Sequence, residues 1–148
     1  MKIRRSPIEF HNVIRMKVIC QKSELKEKIL ELKYTILKLG LFGTGPIIYT
    51  VTDTLEESMK EFELFLPLNA QVELKENSTY HFMTSFKFED GLWYRHADLT
   101  ESIAPSYELL KLAAKSEKLD LVEPFYNIYL DVYGGGIIDI YAPIKTVE

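Results

Sequence analysis

Residues 137–144, Ile-Ile-Asp-Ile-Tyr-Ala-Pro-Ile, contain the pattern that decides the fold, because residues 61–68 repeat it as Glu-Phe-Glu-Leu-Phe-Leu-Pro-Leu. Both segments are rich in apolar and aromatic residues interrupted by an acid, which is typical of β-strands. An acid matches an acid, a ring matches a ring and a proline matches a proline: Glu63 and Asp139, Phe65 and Tyr141, Pro67 and Pro143. The two segments are therefore interpreted as the last strands of two related units.

The rest of the chain supplies the other elements of each unit. Apolar residues spaced by three and four from Leu25 to Leu39 predict a helix over 23–39 that Gly40 ends. A second helix is predicted from about Ala104, with Pro105 in its first turn. Alternating or β-branched stretches predict strands at 12–20, 47–53, 61–68, 79–88, 92–99, 125–133 and 137–144, with turns at Glu89-Asp90-Gly91 and Gly134–Gly136.

These elements predict an α+β fold of two strand–helix–strand–strand units, at approximately 12–70 and 79–146, within a single domain covering 1–148. The units are expected to share one curved antiparallel sheet with both helices on one face, which leaves the other face as an open groove.

Composition narrows the function classes. The chain of 148 residues has a net charge of −4, and its only basic cluster, at residues 1–5, is expected to be a frayed start, so nucleic-acid binding is not expected. No stretch approaches 18 consecutive apolar residues, so no membrane span is expected. A single cysteine, Cys20, fits a cytoplasmic protein, and the three dispersed histidines predict no metal site. No cofactor motif is present.

The segments Tyr107-Glu-Leu-Leu, Pro124-Phe-Tyr-Asn-Ile-Tyr-Leu-Asp and Ile138-Asp-Ile-Tyr-Ala-Pro-Ile-Lys145 resemble the C-terminal half of GyrI-like small-molecule-binding domains. The same module is the effector-binding domain of bacterial multidrug-sensing transcription regulators. The resemblance implies a bacterial, stand-alone protein that binds an organic, often cationic, molecule on the concave sheet face. It places the binding acid at Asp139, where the family usually has Glu, with Tyr141 on the same side of the strand.

Other groove residues are inferred from the strands themselves. Aromatic rings with a few polar tips are the usual lining of a ligand pocket. The predicted ligand-binding set is Asp139, Tyr141, Tyr129, Trp93, Tyr49 and Glu63. Glu63 is better explained as a residue on a solvated sheet face, whereas for Asp139 that explanation and ligand binding fit equally well. Aromatic residues are good strand formers wherever they point.

Three functions remain open at this stage. The first is non-catalytic binding of a small hydrophobic, possibly cationic, molecule. The second is a protein-interaction module; the chain also resembles in length the small proteins that accompany secreted LXG-type toxin genes, which would imply an accessory or immunity role. The third is a small hydrolase that uses Tyr141 with Asp139, as some relatives of the GyrI-like family do.

Overall fold

The computed structural model describes residues 3–55, 58–74, 79–96, 102–132 and 135–146, with the backbone alone for 131, 132 and 135. In chain order, the elements are β1 (Arg4–Arg5), β2 (Ile8–Gln21), a 3₁₀ turn (Lys22–Glu24), α1 (Leu25–Lys38), β3 (Ile47–Thr54), β4 (Met59–Pro67), β5 (Tyr80–Phe88), β6 (Gly91–His96), α2 (Ala104–Ser116), β7 (Tyr126–Val132) and β8 (Gly135–Pro143). The chain forms two compact units. The first unit is Phe10–Phe86, and the second is Met1–Glu9 together with Lys87–Glu148.

The first unit is a set of antiparallel strands with one helix. In the strand order β3-β4-β2-β5, the apolar strand β4 lies between β3 and β2, and β2 pairs with β5. One stripe of α1, formed by Leu25, Leu32 and Ile36, is buried as the helical spacing predicts.

The second unit repeats this connectivity. Its last strand, β8, lies between β7 and β6, and the short strand β1 pairs with the outer edge of β6. Helix α2 packs on one face of these strands, because the Tyr107 hydroxyl donates to Asn127 Oδ1 at 2.7 Å and Ser106 Oγ lies 2.9 Å from His96 Nδ1.

The predicted α+β class is confirmed, and most elements lie within a few residues of their predicted bounds. The internal duplication and the single-domain boundary remain predictions, since shared connectivity does not by itself demonstrate common origin.

Several local predictions are corrected. Arg4 and Arg5 are not frayed, since they pair with Trp93 and Leu92 of β6. Strand β2 begins at Ile8 rather than at residue 12. Gly135 and Gly136 are paired strand residues rather than the turn, because they lie opposite Val132 and Asp131.

One leucine of the predicted α1 stripe is absent from the core, because Leu39 follows the last residue of α1 and is exposed. Leu109 and Leu112 of α2 are exposed as well. The predicted strand residues 97–99 and the loop residues Glu56 and Glu57 lie outside the described residues.

Gly91 is required by the packing of its neighbour. A Cβ built on Gly91 would overlap the ring of Tyr141, which is fully buried. We therefore expect Gly91→Ala to lower the free energy of unfolding by about 1–3 kcal/mol, the usual cost of overpacking a core. Urea denaturation followed by circular dichroism measures this.

Gly43→Ala is the matched control for that substitution. Its added Cβ would approach Leu66 Cδ1 to 3.2 Å, a much milder contact than the overlap at Gly91, so we expect a smaller loss. Equal losses for the two variants would contradict the role assigned to the Gly91–Tyr141 contact.

Candidate functional site

The pairing of β6 with β8 brings half of the predicted site residues together. Trp93 lies directly opposite Tyr141, and Arg95 lies directly opposite Asp139. Residues directly opposite each other, and residues two apart on one strand, share a sheet face. All four side chains therefore lie on the face of the second unit that α2 does not cover, and this surface is called the Trp93 face below.

Asp139 is held by an arginine of the same unit. Arg95 donates from Nε to Oδ1 at 2.9 Å and from Nη2 to Oδ2 at 3.2 Å, a two-point contact between guanidinium and carboxylate. The carboxylate is 15% exposed and the arginine side chain 58% exposed. The hydrogen bond to Asp139, and then its negative charge, raise the pKa of Arg95. Asp139, which the sequence analysis predicted to bind a cationic ligand, is thus already paired with the guanidinium of Arg95.

Tyr141 lies beneath the surface. It is 0% exposed, and its hydroxyl donates to the Ser6 carbonyl at 3.0 Å. Its ring meets Trp93 edge to face, with centroids 4.9 Å apart, and Phe88 lies 6.1 Å away. Burial first, and the charge of Asp90 second, raise the pKa of Tyr141 to about 12. The sequence analysis expected Tyr141 to line the groove, whereas here it forms the floor beneath Trp93.

Strand β1 and the residue after it, Ser6, cover the Tyr141 side chain. Arg5 binds Asp90 through Nε and Nη2, with the shortest distance 2.6 Å, and the Ser6 amide donates to the Gly91 carbonyl at 2.9 Å. The hydrogen bond from Arg5 is the main cause that lowers the pKa of Asp90. These contacts hold the Ser6 carbonyl in place above the Tyr141 hydroxyl.

Trp93 is half-buried and has an arginine on its ring. The Arg4 guanidinium carbon lies 5.4 Å from the ring centroid, within the range of cation–π attraction. The indole Nε1 is buried, and it finds no hydrogen-bond acceptor within the described part of the chain. A buried donor without an acceptor costs about 1–3 kcal/mol, so a ligand whose binding uncovered this N–H and supplied an acceptor would recover that free energy.

The other three predicted site residues are placed elsewhere. Tyr129 lies opposite Ile138 and on the same side of β7 as Asn127, which contacts α2, so it is on the helix-covered face. Tyr49 and Glu63 belong to the first unit. Tyr49 is buried against Phe62, with ring centroids 6.3 Å apart.

Glu63 faces the opposite side of its strands from Tyr49. Tyr49 is opposite Leu64, and Glu63 is opposite Thr50, so the two side chains point to different faces. The carboxylate of Glu63 lies 3.8 Å from Arg15 Nη1. Only Asp139, Tyr141 and Trp93 of the predicted set are therefore brought together.

Sequence reasoning missed two residues of the candidate site, Arg4 and Arg95. Alternation along β6 was sufficient to place Arg95 on the side of Trp93. Its pairing with Asp139 depends on the register of two strands 44 residues apart, which alternation does not fix. Residues 1–5 were predicted to be frayed, and no sequence pattern indicated that Arg4 contacts Trp93.

The described residues contain neither a group of side chains suited to a metal ion nor a helix suited to crossing a membrane. Over the described ranges, His, Cys, Asp and Glu side chains form no group of three suited to holding a metal ion. None of the helices in those ranges combines the length and apolar character needed to cross a membrane.

Comparison with known proteins gives a family and a fold. A family model described as "Domain of unknown function (DUF5085)" matches residues 9–148. Among curated proteins, none matches the sequence.

Solved structures share the fold at low sequence identity. The C-terminal domain of EcmrR, a GyrI-like effector-binding domain of MerR-type regulators, superposes with a TM-score of 0.71 and 15% identity over 99% of this chain and 100% of that one. The EcmrR chain in a complex with DNA gives a TM-score of 0.74 at 14% identity, covering 98% of this chain. This chain spans 58% of that EcmrR chain.

Two further structures extend the comparison. One described as a hydrolase from Listeria innocua gives a TM-score of 0.63 and 12% identity, covering 97% of this chain and 92% of that one. SAV2435, solved bound to tetraphenylphosphonium, gives a TM-score of 0.51 at 10% sequence identity, covering 98% of this chain and 94% of that one. At these identities the likeness establishes the fold, and the predicted GyrI-like fold is confirmed.

The buried phenol of Tyr141 predicts a pH dependence of stability. Its pKa is about 12 in the folded protein and about 10 in an unfolded chain. The neutral phenol therefore stabilises the folded state fully below about pH 10, and this contribution is lost as the pH rises towards about 12. Between about pH 9 and 11 we expect urea unfolding to show wild type losing about 1 kcal/mol more than Tyr141→Phe. Equal losses would contradict burial of the hydroxyl.

Proposed function

The chain belongs to the DUF5085 family, whose description assigns no activity, and we propose that it is a GyrI-like domain that binds a small hydrophobic molecule without transforming it. The proposed site is the Trp93 face of the second unit.

The observation that carries this proposal is the composition of that face. It contains a half-buried indole whose buried N–H finds no acceptor among the described residues, next to an ion pair of Arg95 and Asp139 that is partly exposed. A planar apolar surface with a few polar groups is the usual make-up of a small-molecule site. SAV2435, which shares the fold, was solved with the organic cation tetraphenylphosphonium, and this supports a ligand-binding use of such a domain.

Binding without chemistry is favoured over hydrolysis by the partners of the two candidate catalytic groups. The Tyr141 hydroxyl donates to the Ser6 carbonyl, and the Asp139 carboxylate is held by Arg95. A phenol whose pKa is raised to about 12 is a poor nucleophile or base near neutral pH. The Listeria innocua structure described as a hydrolase makes an esterase and epoxide-substrate screen a necessary check on this part.

The proposal predicts that aromatic ligands bind in contact with Trp93, the only tryptophan of the chain. A panel of neutral, cationic and anionic aromatic compounds should include binders that raise the melting temperature and move the indole N–H resonance in an NMR spectrum. Trp93→Ala should weaken those binders by about 1–2 kcal/mol, the contribution of one ring contact.

Tyr34→Ala is the control, because it removes an exposed ring from α1 in the first unit. If every compound leaves both the melting temperature and the indole resonance unchanged, the small-molecule function is wrong. Loss of binding in both variants equally would place the site away from Trp93.

A second candidate function, a protein-interaction module, is favoured by α1. Leu30, Tyr34 and Leu37 follow one another at spacings of four and three, and their side chains are 58%, 62% and 62% exposed. Phe42, just after the helix, is exposed as well. Contiguous exposed apolar residues on a soluble domain often mark an interaction surface. Sequence reasoning missed this stripe, because it considered only the apolar spacing that leads from Leu25 to Leu39.

This second function predicts a separation of binding from stability. The double substitution Leu30→Lys and Leu37→Lys should abolish capture of a partner by the immobilised protein, while the melting temperature stays within about 2 °C of wild type because the sites are exposed. Leu112→Lys, at an equally exposed leucine of α2, is the control and should retain capture. Identical capture by all three proteins would exclude α1 as the interaction surface.

A further inference from the structure

The charges on the Trp93 face point to the class of ligand. We infer that this face binds an aromatic carboxylate in preference to an organic cation. The inference rests on the proposed small-molecule function and adds the sign of the ligand's charge. It is carried by Arg95 on Asp139, Arg4 on Trp93 and the unmatched indole N–H.

The first step concerns the acid. A ligand cation that used Asp139 would have to displace a guanidinium that already makes two hydrogen bonds to both carboxylate oxygens. That guanidinium is tethered opposite Asp139 by the β6–β8 register, so its effective concentration at the carboxylate is far above that of a free ligand. Arg95 therefore competes with any ligand cation for the Asp139 carboxylate.

The second step concerns the arginines. Arg4 is directly opposite Trp93 and Arg95 is two residues along the same strand, so the two backbones are diagonal neighbours about 7–8 Å apart. Both side chains are exposed. Among the described residues, two guanidinium groups lie on this face with the one carboxylate of Asp139, while Arg5 is matched by Asp90, so the described part of the face has an excess of positive charge.

The third step concerns hydrogen-bond donors. The ion pair with Asp139 uses Nε and Nη2 of Arg95 and leaves the Nη1 donors outside it. The Trp93 indole N–H is a further donor, and Arg4, which lies over the ring, is an exposed side chain that can move aside. A carboxylate accepts two such donors at once, and its aromatic ring can stack where Arg4 now lies.

The test uses three compounds that share one ring system and differ in charge. These are naphthoate, naphthalenemethanol and naphthylmethylammonium, each titrated by calorimetry with the Trp93 indole N–H resonance followed by NMR. For wild type we expect naphthoate to bind about tenfold or more tightly than the alcohol, and the ammonium compound most weakly.

Three variants separate the contributions. Arg95→Met keeps the aliphatic stem but frees Asp139, so it should lose the preference for naphthoate and gain affinity for the ammonium compound. Asp139→Asn frees Arg95 and should strengthen naphthoate. Lys111→Met removes one positive charge from α2, on the other side of the sheet, and should behave as wild type.

The outcomes distinguish the two levels of the proposal. If the alcohol binds and moves the indole resonance but naphthoate binds no more tightly, the charge preference is wrong and the small-molecule function stands. If the ammonium compound binds most tightly to wild type, the inference is overturned in the same way. If none of the three moves the indole resonance, the small-molecule function at this face fails as well.

Discussion

The register between β6 and β8 is the constraint on which the candidate site depends. It sets Trp93 against Tyr141 and Arg95 against Asp139, and a slip of one residue would send the two side chains of the slipped strand to the helix-covered side and separate both pairs. The register is fixed at one end by Gly91, the residue whose lack of a side chain admits the Tyr141 ring. At the other end, the two-point contact of Arg95 with Asp139 matches donors to acceptors in a single alignment.

The same arrangement of charge occurs in the first unit. Glu63 lies on the central strand β4 and Arg15 lies on β2, just as Asp139 lies on β8 and Arg95 on β6. Each acid of a central strand thus has an arginine from a neighbouring strand of its own unit. The contacts differ in quality, because Arg15 approaches only to 3.8 Å and its buried Nε has no acceptor within the described residues. A half-buried carboxylate is costly without such a partner, so these arginines make acids on largely apolar strands tolerable.

Sequence reasoning predicted the elements better than the site. Periodicity located α1, α2 and the strands, because the alternation of apolar and polar residues follows directly from which side of an element is buried. Asp139 and Tyr141 were correctly placed on one side of β8 by the same argument. The burial of Tyr141 was beyond it, since that depends on Ser6, 135 residues away, and on the space left by Gly91. Tyr129 was predicted on the same face as Asp139 but lies on the helix-covered face. Which face it takes depends on the β7–β8 register, which sets Ile128, and not Tyr129, opposite Asp139.

The two-residue strand β1 has a consequence for the order in which the protein assembles. Arg5 and Asp90 are 85 residues apart in the chain, and closing a flexible loop of that length costs about 4 kcal/mol or more of entropy before any contact compensates for it. A contact of two residues cannot nucleate such a closure, so β1 docks only after Gly91–His96 has been positioned by β8. Because β1 has only two paired residues, we expect it to detach from the second unit more readily than β7 or β8, and its detachment would uncover the Tyr141 hydroxyl that now donates to Ser6.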